Sequence, residues 1–282
     1  MIIYFNGQLV PAGDSIVSPL DHGFLYGHGL FETMRAYKGR VFCLEEHLKR
    51  LEEAADFLGW PKIPDRVELS MAIASVLSEN HLCDASIRLT LSRGIGAARP
   101  DPGSCGQPTV AVYASQLPTP LSLAGGWHIA IVKLRRNLSS PLVRIKSANY
   151  LDNLLAKAEA RSRNAQEAIM LNTDGFVAEG SMSNIFYVTD GRLITPDDDS
   201  GILPGVTRRI VIELAQTAGI PVEMRQVSLV ELTSADEIFL TSSIMEIIPV
   251  TACDGNPIGA TPAAGAITAK LQTLYRELAE KE

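Results

Sequence analysis

Apolar side chains recur at helical spacing from residue 45 to residue 58, at Leu48, Leu51, Ala55 and Leu58, before Gly59-Trp60-Pro61 ends the run. The spacing predicts an amphipathic helix, and a second is expected over residues 65–80. Ser86-Ile87-Arg88-Leu89-Thr90-Leu91 alternates as a half-buried strand does, and further strands are expected at residues 30–37, 40–44 and 109–114. Near the start, Asn6-Gly7 lies between two short runs of β-formers, which predicts an antiparallel hairpin.

Beyond residue 125, strands near residues 128–133, 167–171, 184–188 and 237–241 alternate with helices near residues 148–164 and 207–218. Ser147 is expected to cap the first of these helices, whose buried face would carry Leu151, Leu154, Leu155 and Ala158. The second is expected to bury Ile210, Val211, Leu214 and Ala218. Turns at Thr173-Asp174-Gly175 and Thr189-Asp190-Gly191 join neighbouring strands, so the sheet is not purely parallel. Leu117-Pro118-Thr119-Pro120-Leu121 favours an extended connection. The expected architecture is therefore α+β in two domains: a small N-terminal domain over residues 1–116, a linker at 117–124, and a larger C-terminal domain over 125–282 that carries Lys146.

Composition narrows the function classes. A hydrophobic fraction of 46% with 20% charged residues describes a folded chain. The net charge of −7 and pI near 5.3 give no general attraction to nucleic acid, and no stretch is apolar enough to span a bilayer. Cys43, Cys83, Cys105 and Cys253 show no metal-like spacing, which fits a reducing cytoplasm better than a disulfide framework.

The candidate chemistry lies in three places. Arg144-Ile145-Lys146-Ser147 sets a lysine at a strand-to-helix junction. Val177-Ala178-Glu179-Gly180-Ser181 sets one carboxylate among small neutral residues. Gly201-Ile202-Leu203-Pro204-Gly205-Val206-Thr207 opens a helix whose N–H groups and dipole suit a phosphate. Each alone also fits a blander reading: a solvated lysine, a turn, an unliganded helix start. Together they provide an amine for a Schiff base, a partner for a pyridine nitrogen and a phosphate cradle, as pyridoxal 5′-phosphate requires.

In this order the segments Ile145-Lys146-Ser147-x-Asn149-Tyr150, Ala178-Glu179-Gly180-Ser181-x-Ser183-Asn184 and Gly201-Ile202-Leu203-x-Gly205-Val206-Thr207-Arg208 resemble the class IV aminotransferases. The likeness extends to Asp21-His22-Gly23-Phe24-Leu25-Tyr26-Gly27, Phe31-Glu32-Thr33 and Glu246-Ile247-Ile248-Pro249-Val250. It implies a two-domain, fold-type IV pyridoxal-phosphate enzyme and a homodimer acting on small amino acids and 2-oxo acids. Lys146 would be the Schiff-base lysine, Glu179 the partner of the pyridine nitrogen, and Tyr150 a donor near the phenolic oxygen. Arg50, Val206, Thr207 and Ser243 would hold the phosphate, although Arg50 also reads as the surface partner of Glu46. Tyr26, Phe31, Arg99 and Arg136 are candidate substrate contacts, and no metal is implied. The family holds both aminotransferases for branched-chain or D-amino acids and 4-amino-4-deoxychorismate lyases. The expected reaction is transamination of a D-amino acid or a branched-chain or small apolar one, with the lyase as the alternative. A metal site at Asp21, His22 and His28 is a further alternative that leaves Lys146, Glu179 and Thr207 unexplained.

Overall fold

Asn6 and Gly7 make the expected hairpin: β1 (Ile2–Phe5) pairs antiparallel with β2 (Gln8–Pro11), and both turn residues have positive φ, 47° and 91°, the backbone that a tight two-residue turn demands. The computed structural model describes residues 1–117, 125–259 and 264–281. These group as two units. The first holds residues 1–117 and Ile145–Asn149; the second holds residues 125–144 and the chain from Tyr150 to Lys281. The expected linker, beyond residue 117, lies outside the described residues.

In the first unit, after β2, come α1 (His22–Tyr26), β3 (Gly29–Tyr37), β4 (Arg40–Val41), α2 (Leu44–Phe57), α3 (Arg66–Glu79), β5 (Ala85–Ser92) and β6 (Thr109–Gln116). The strands form one antiparallel sheet in the order β2-β1-β6-β5-β3-β4. Alternate residues of β5, Ala85, Ile87, Leu89 and Leu91, point into a core closed by Leu48 and Leu51 of α2 and Leu69, Ile73 and Val76 of α3. The opposite face of β5 carries Ser86, Arg88, Thr90 and Ser92.

The second unit contains β7 (Trp127–Arg136), α4 (Leu151–Ser162), β8 (Glu167–Asn172), β9 (Val177–Gly180), β10 (Asn184–Thr189), β11 (Arg192–Thr195), α5 (Val206–Thr217), β12 (Val222–Met224), α6 (Leu229–Thr233), β13 (Glu237–Ser242), β14 (Glu246–Cys253), β15 (Asn256–Pro257) and α7 (Ala266–Lys281). Its sheet runs β12-β11-β10-β13-β14-β7-β8-β9, with β15 attached to β14. The β14–β7, β7–β8 and β11–β12 pairs are parallel and the rest antiparallel, so the sheet is mixed as expected.

Three expectations fail. The sequence assigns Lys146 to the C-terminal domain, yet its segment adds to β3: the Phe31 N–H donates to the Lys146 carbonyl at 3.0 Å and the Ala148 N–H to the Gly29 carbonyl at 2.8 Å. Ser147 is not the cap of α4. It is buried and bridges Leu30, while Tyr150 holds the N-cap position without a side-chain capping bond. Nor do the leucines of α4 face the core. Leu151, Leu154 and Leu155 are 67%, 60% and 53% exposed, and Ala158 is exposed as well. Ala156 and Ala160 pack instead against Ala130, Val132, Ala168 and Met170 of the sheet, because small side chains let the helix approach closely. In α5, Ile210 and Val211 are buried as expected, with Ile212 and Ala215, whereas Leu214 and Ala218 are half-buried. Among the described residues no helix is long and apolar enough to cross a membrane.

Candidate active site

In the first unit the backbone bonds to Gly29 and Phe31 fix Lys146 beside β3, and its Nζ lies 4.6 Å from the centroid of the Phe31 ring. The same ring carries the Arg88 guanidinium at 3.4 Å. The shared ring thus brings a guanidinium near the primary amine of Lys146. Gly29 permits the close approach, since a Cβ there would meet the Leu91 carbonyl at 3.0 Å and the Ala148 Cβ at 3.3 Å.

Arg50 extends from the edge of α2 to Glu32 of β3, donating from Nε to Oε1 at 2.8 Å and from Nη2 to Oε2 at 2.6 Å. His47 Nδ1 is 2.7 Å from the same Oε2. Glu32 is fully buried, and burial pushes its carboxyl up; Arg50 and then His47 outweigh this and hold it down to about 2. Burial pushes His47 down against the pull of Glu32. Two further candidate substrate residues belong to this unit. Arg99 is 74% exposed and pairs with Asp101 at 3.2 Å, and Tyr26 stands edge-on to His22 at the end of α1.

In the second unit Glu179 is the penultimate residue of the buried strand β9 and meets donors from Arg136, Asn184 and Leu203. Its Oε2 accepts from Asn184 Nδ2 at 3.1 Å and from the Leu203 N–H at 2.9 Å, and its Oε1 lies 2.8 Å from Arg136 Nη2. Asn184 pairs with Thr241 across β10 and β13, donates to the Leu203 carbonyl at 2.9 Å, and packs so tightly on Gly205 that a Cβ there would lie 2.0 Å from its Oδ1. Gly205 is the N-cap of α5 and offers no side-chain bond to the first N–H groups, while Val206 and Thr207 are buried behind it. Thr241 Oγ1 is buried without a hydrogen-bond partner. The Tyr150 hydroxyl donates to the Ser181 carbonyl at 3.1 Å, which also accepts from Asn153 at 2.8 Å. Ser243 is half-buried in the turn after β13.

Residues 29–253 match the family model of amino-transferase class IV. The chain belongs to the class IV aminotransferases. This class IV chain is 41% identical to a putative branched-chain-amino-acid aminotransferase of Methanocaldococcus jannaschii, over 100% of its own length and 97% of the relative's. It is 38% identical to the aminodeoxychorismate lyase of Bacillus subtilis, over 98% and 94% of the two chains. Its structure superposes with a TM-score of 0.89 on the branched-chain amino acid aminotransferase of Thermobaculum terrenum in its PLP-bound holo-form, at 30% identity and covering 99% and 94% of the chains.

Class IV aminotransferases use pyridoxal 5′-phosphate, and this chain is such an enzyme. The second unit suits that cofactor's charges: the N-terminus of α5 lacks a side-chain cap, a buried hydroxyl at Thr241 lacks a partner, and a carboxylate lies among donors. Two features of this geometry escape the sequence reading. Arg88 could have been noticed as the one charge on the hydroxyl-bearing face of β5. The Arg136–Glu179 pair has no local signal, because nothing in either segment announces the other. The alternative metal site dissolves into structural bonds: Asp21 accepts from Gly23, Ser92 and Thr109, and His28 accepts from Trp60 Nε1. Among the described residues no group of His, Cys, Asp or Glu is arranged to hold a metal.

Proposed function

We propose that this enzyme transfers the amino group of a branched-chain or other small apolar amino acid to a 2-oxo acid. The observation that carries the reading is the Phe31 ring with Lys146 and Arg88 upon it: an amine for chemistry on a substrate amino group, beside a guanidinium for its carboxylate. Arg99, exposed and paired with Asp101, is a weaker candidate for the substrate carboxylate than Arg88.

Lys146 attaches the cofactor and moves the proton at the substrate Cα. By the family likeness, Arg50, which Glu32 orients, would bind the phosphate, as would the N–H groups of Val206 and Thr207 and the Ser243 hydroxyl. Glu179 would partner the ring nitrogen, and Tyr150 would donate near the phenolic oxygen. When bound, pyridoxal phosphate supplies an electron sink for the charge that develops at Cα. The exposed Leu151, Leu154 and Leu155 of α4 support a homodimer in which a second copy covers them. The four free thiols support a cytoplasmic setting.

A lyase reading rests on the Bacillus subtilis relative, and one experiment separates the two. Purified holoenzyme is mixed with L-leucine, L-valine or D-alanine, and the visible absorption of the bound cofactor is followed. Transamination predicts bleaching by a branched-chain donor and recovery when 2-oxoglutarate or pyruvate is added; Lys146→Ala should abolish borohydride-trappable attachment. Release of 4-aminobenzoate from aminodeoxychorismate, with no spectral response to any amino acid, would make the enzyme a lyase. A response to D-alanine alone would reassign the substrate.

A further inference from the structure

We infer that Arg136 is a positioning residue that holds Glu179 as an oriented anion and so keeps the shared proton on the cofactor's ring nitrogen. The inference rests on the proposed role of Glu179.

The sequence placed Arg136 among substrate contacts. In the structure its fork is committed elsewhere: Nη2 lies 2.8 Å from Glu179 Oε1 and donates to the Val143 carbonyl at 2.7 Å, and Nε donates to the Gly201 carbonyl at 3.2 Å. Its side chain is 13% exposed and that of Glu179 is 7% exposed. A guanidinium remains charged throughout the working pH range, and its planar fork fixes direction as well as charge. The other buried guanidinium whose charge reaches Glu179, that of Arg208, donates to the Pro196 carbonyl and lies 3.6 Å from Asp198.

A carboxylate and a pyridine nitrogen are two bases that compete for one proton. With the proton on the carboxyl, an O–H would have to be accommodated among Arg136, Asn184 and the Leu203 N–H, which are all donors. With the proton on the nitrogen, Glu179 stays an anion and accepts from each of them. Arg136 touches the carboxylate directly, so its charge favours the anionic form of Glu179. The same three donors fix the plane of the carboxylate.

The test uses holoenzyme reconstituted with cofactor labelled with 15N at the ring nitrogen, and reads the 15N shift at neutral pH beside cofactor affinity and melting temperature. Wild type should show the protonated-ring signal. Arg136→Leu and Arg136→Gln should move it toward the neutral-ring value and raise the cofactor dissociation constant by about tenfold, the equivalent of one unit of pKa. Arg136→Lys, which keeps the charge without the fork, should restore part of the signal. Gln retains donors for the two carbonyls, so it serves if the Leu variant does not fold. A protonated-ring signal in either uncharged variant overturns the inference, even if the melting temperature falls, since Arg136 would then only staple its neighbouring loops. If Glu179→Gln also leaves the ring protonated, the assignment of Glu179 itself is what fails.

Discussion

At Glu32, burial and charge oppose each other and charge wins. The carboxyl titrates at 4.5 in an unfolded chain and at about 2 in the folded one. Its contribution to stability is therefore complete above pH 4.5 and disappears as the pH falls toward 2. The shift corresponds to about 3 kcal/mol. Glu32→Gln should lower the denaturation midpoint at pH 7, and the gap from wild type should narrow as the pH falls below 4.5 and nearly close at pH 2. A gap that did not change with pH would remove the Glu32–Arg50 ion pair as its source. Lys146, Glu179 and Thr207 stand out in the sequence as candidates because each sits in a recognisable run. Their partners were not: Glu32 finds Arg50 and Arg136 finds Glu179 only after strands and helices have brought distant segments together. Arg50 shows how local reasoning misleads, since the helical spacing that offers Glu46 says nothing of a carboxylate on a neighbouring strand.

Element type was largely readable from periodicity, while element phase was not. The leucines of α4 form an apolar stripe at helical spacing, yet the helix turns its alanines to the sheet. A periodic pattern identifies an apolar face without saying which neighbour it meets, and α4 has one face of alanines and another of leucines. The C-terminal α7 escapes the sequence reading although Leu271, Tyr275 and Ala279 recur every fourth residue and are buried. At α5 the decisive position is the N-cap. A methyl at Gly205 would collide with Asn184, whose side chain also holds Glu179 and Leu203. Overpacking of this kind costs about 1–3 kcal/mol. Gly205→Ala should weaken cofactor binding in equilibrium dialysis by about tenfold or more, with helix content unchanged by circular dichroism. Undiminished affinity would show that the start of α5 is not part of the phosphate site.

For the whole molecule, the exposed leucines of α4 make association measurable. Leu151→Glu with Leu154→Glu should shift the sedimenting species from dimer toward monomer at micromolar concentration while preserving the circular dichroism spectrum. A wild-type monomer, or a variant that remains a dimer, would leave the leucine face without a second copy to cover it. Mixed strand directions were legible in the hairpin turns of the second unit. The recruitment of Ile145–Asn149 by the first unit was not, because a bond between backbones carries no side-chain signature.

That recruitment also sets the order of events during synthesis. The body of the first unit is complete in sequence by residue 117, but its last strand partner ends at Asn149, about 30 residues later. At roughly 5–20 residues per second the ribosome needs some 2–6 s to supply it. During that interval the Phe31 amide and the Gly29 carbonyl have no acceptor or donor from this segment. The nascent chain thus passes through a stage at which the Phe31 ring is built but Lys146 has not arrived, so the proposed point of cofactor attachment is among the last features of the first unit to form.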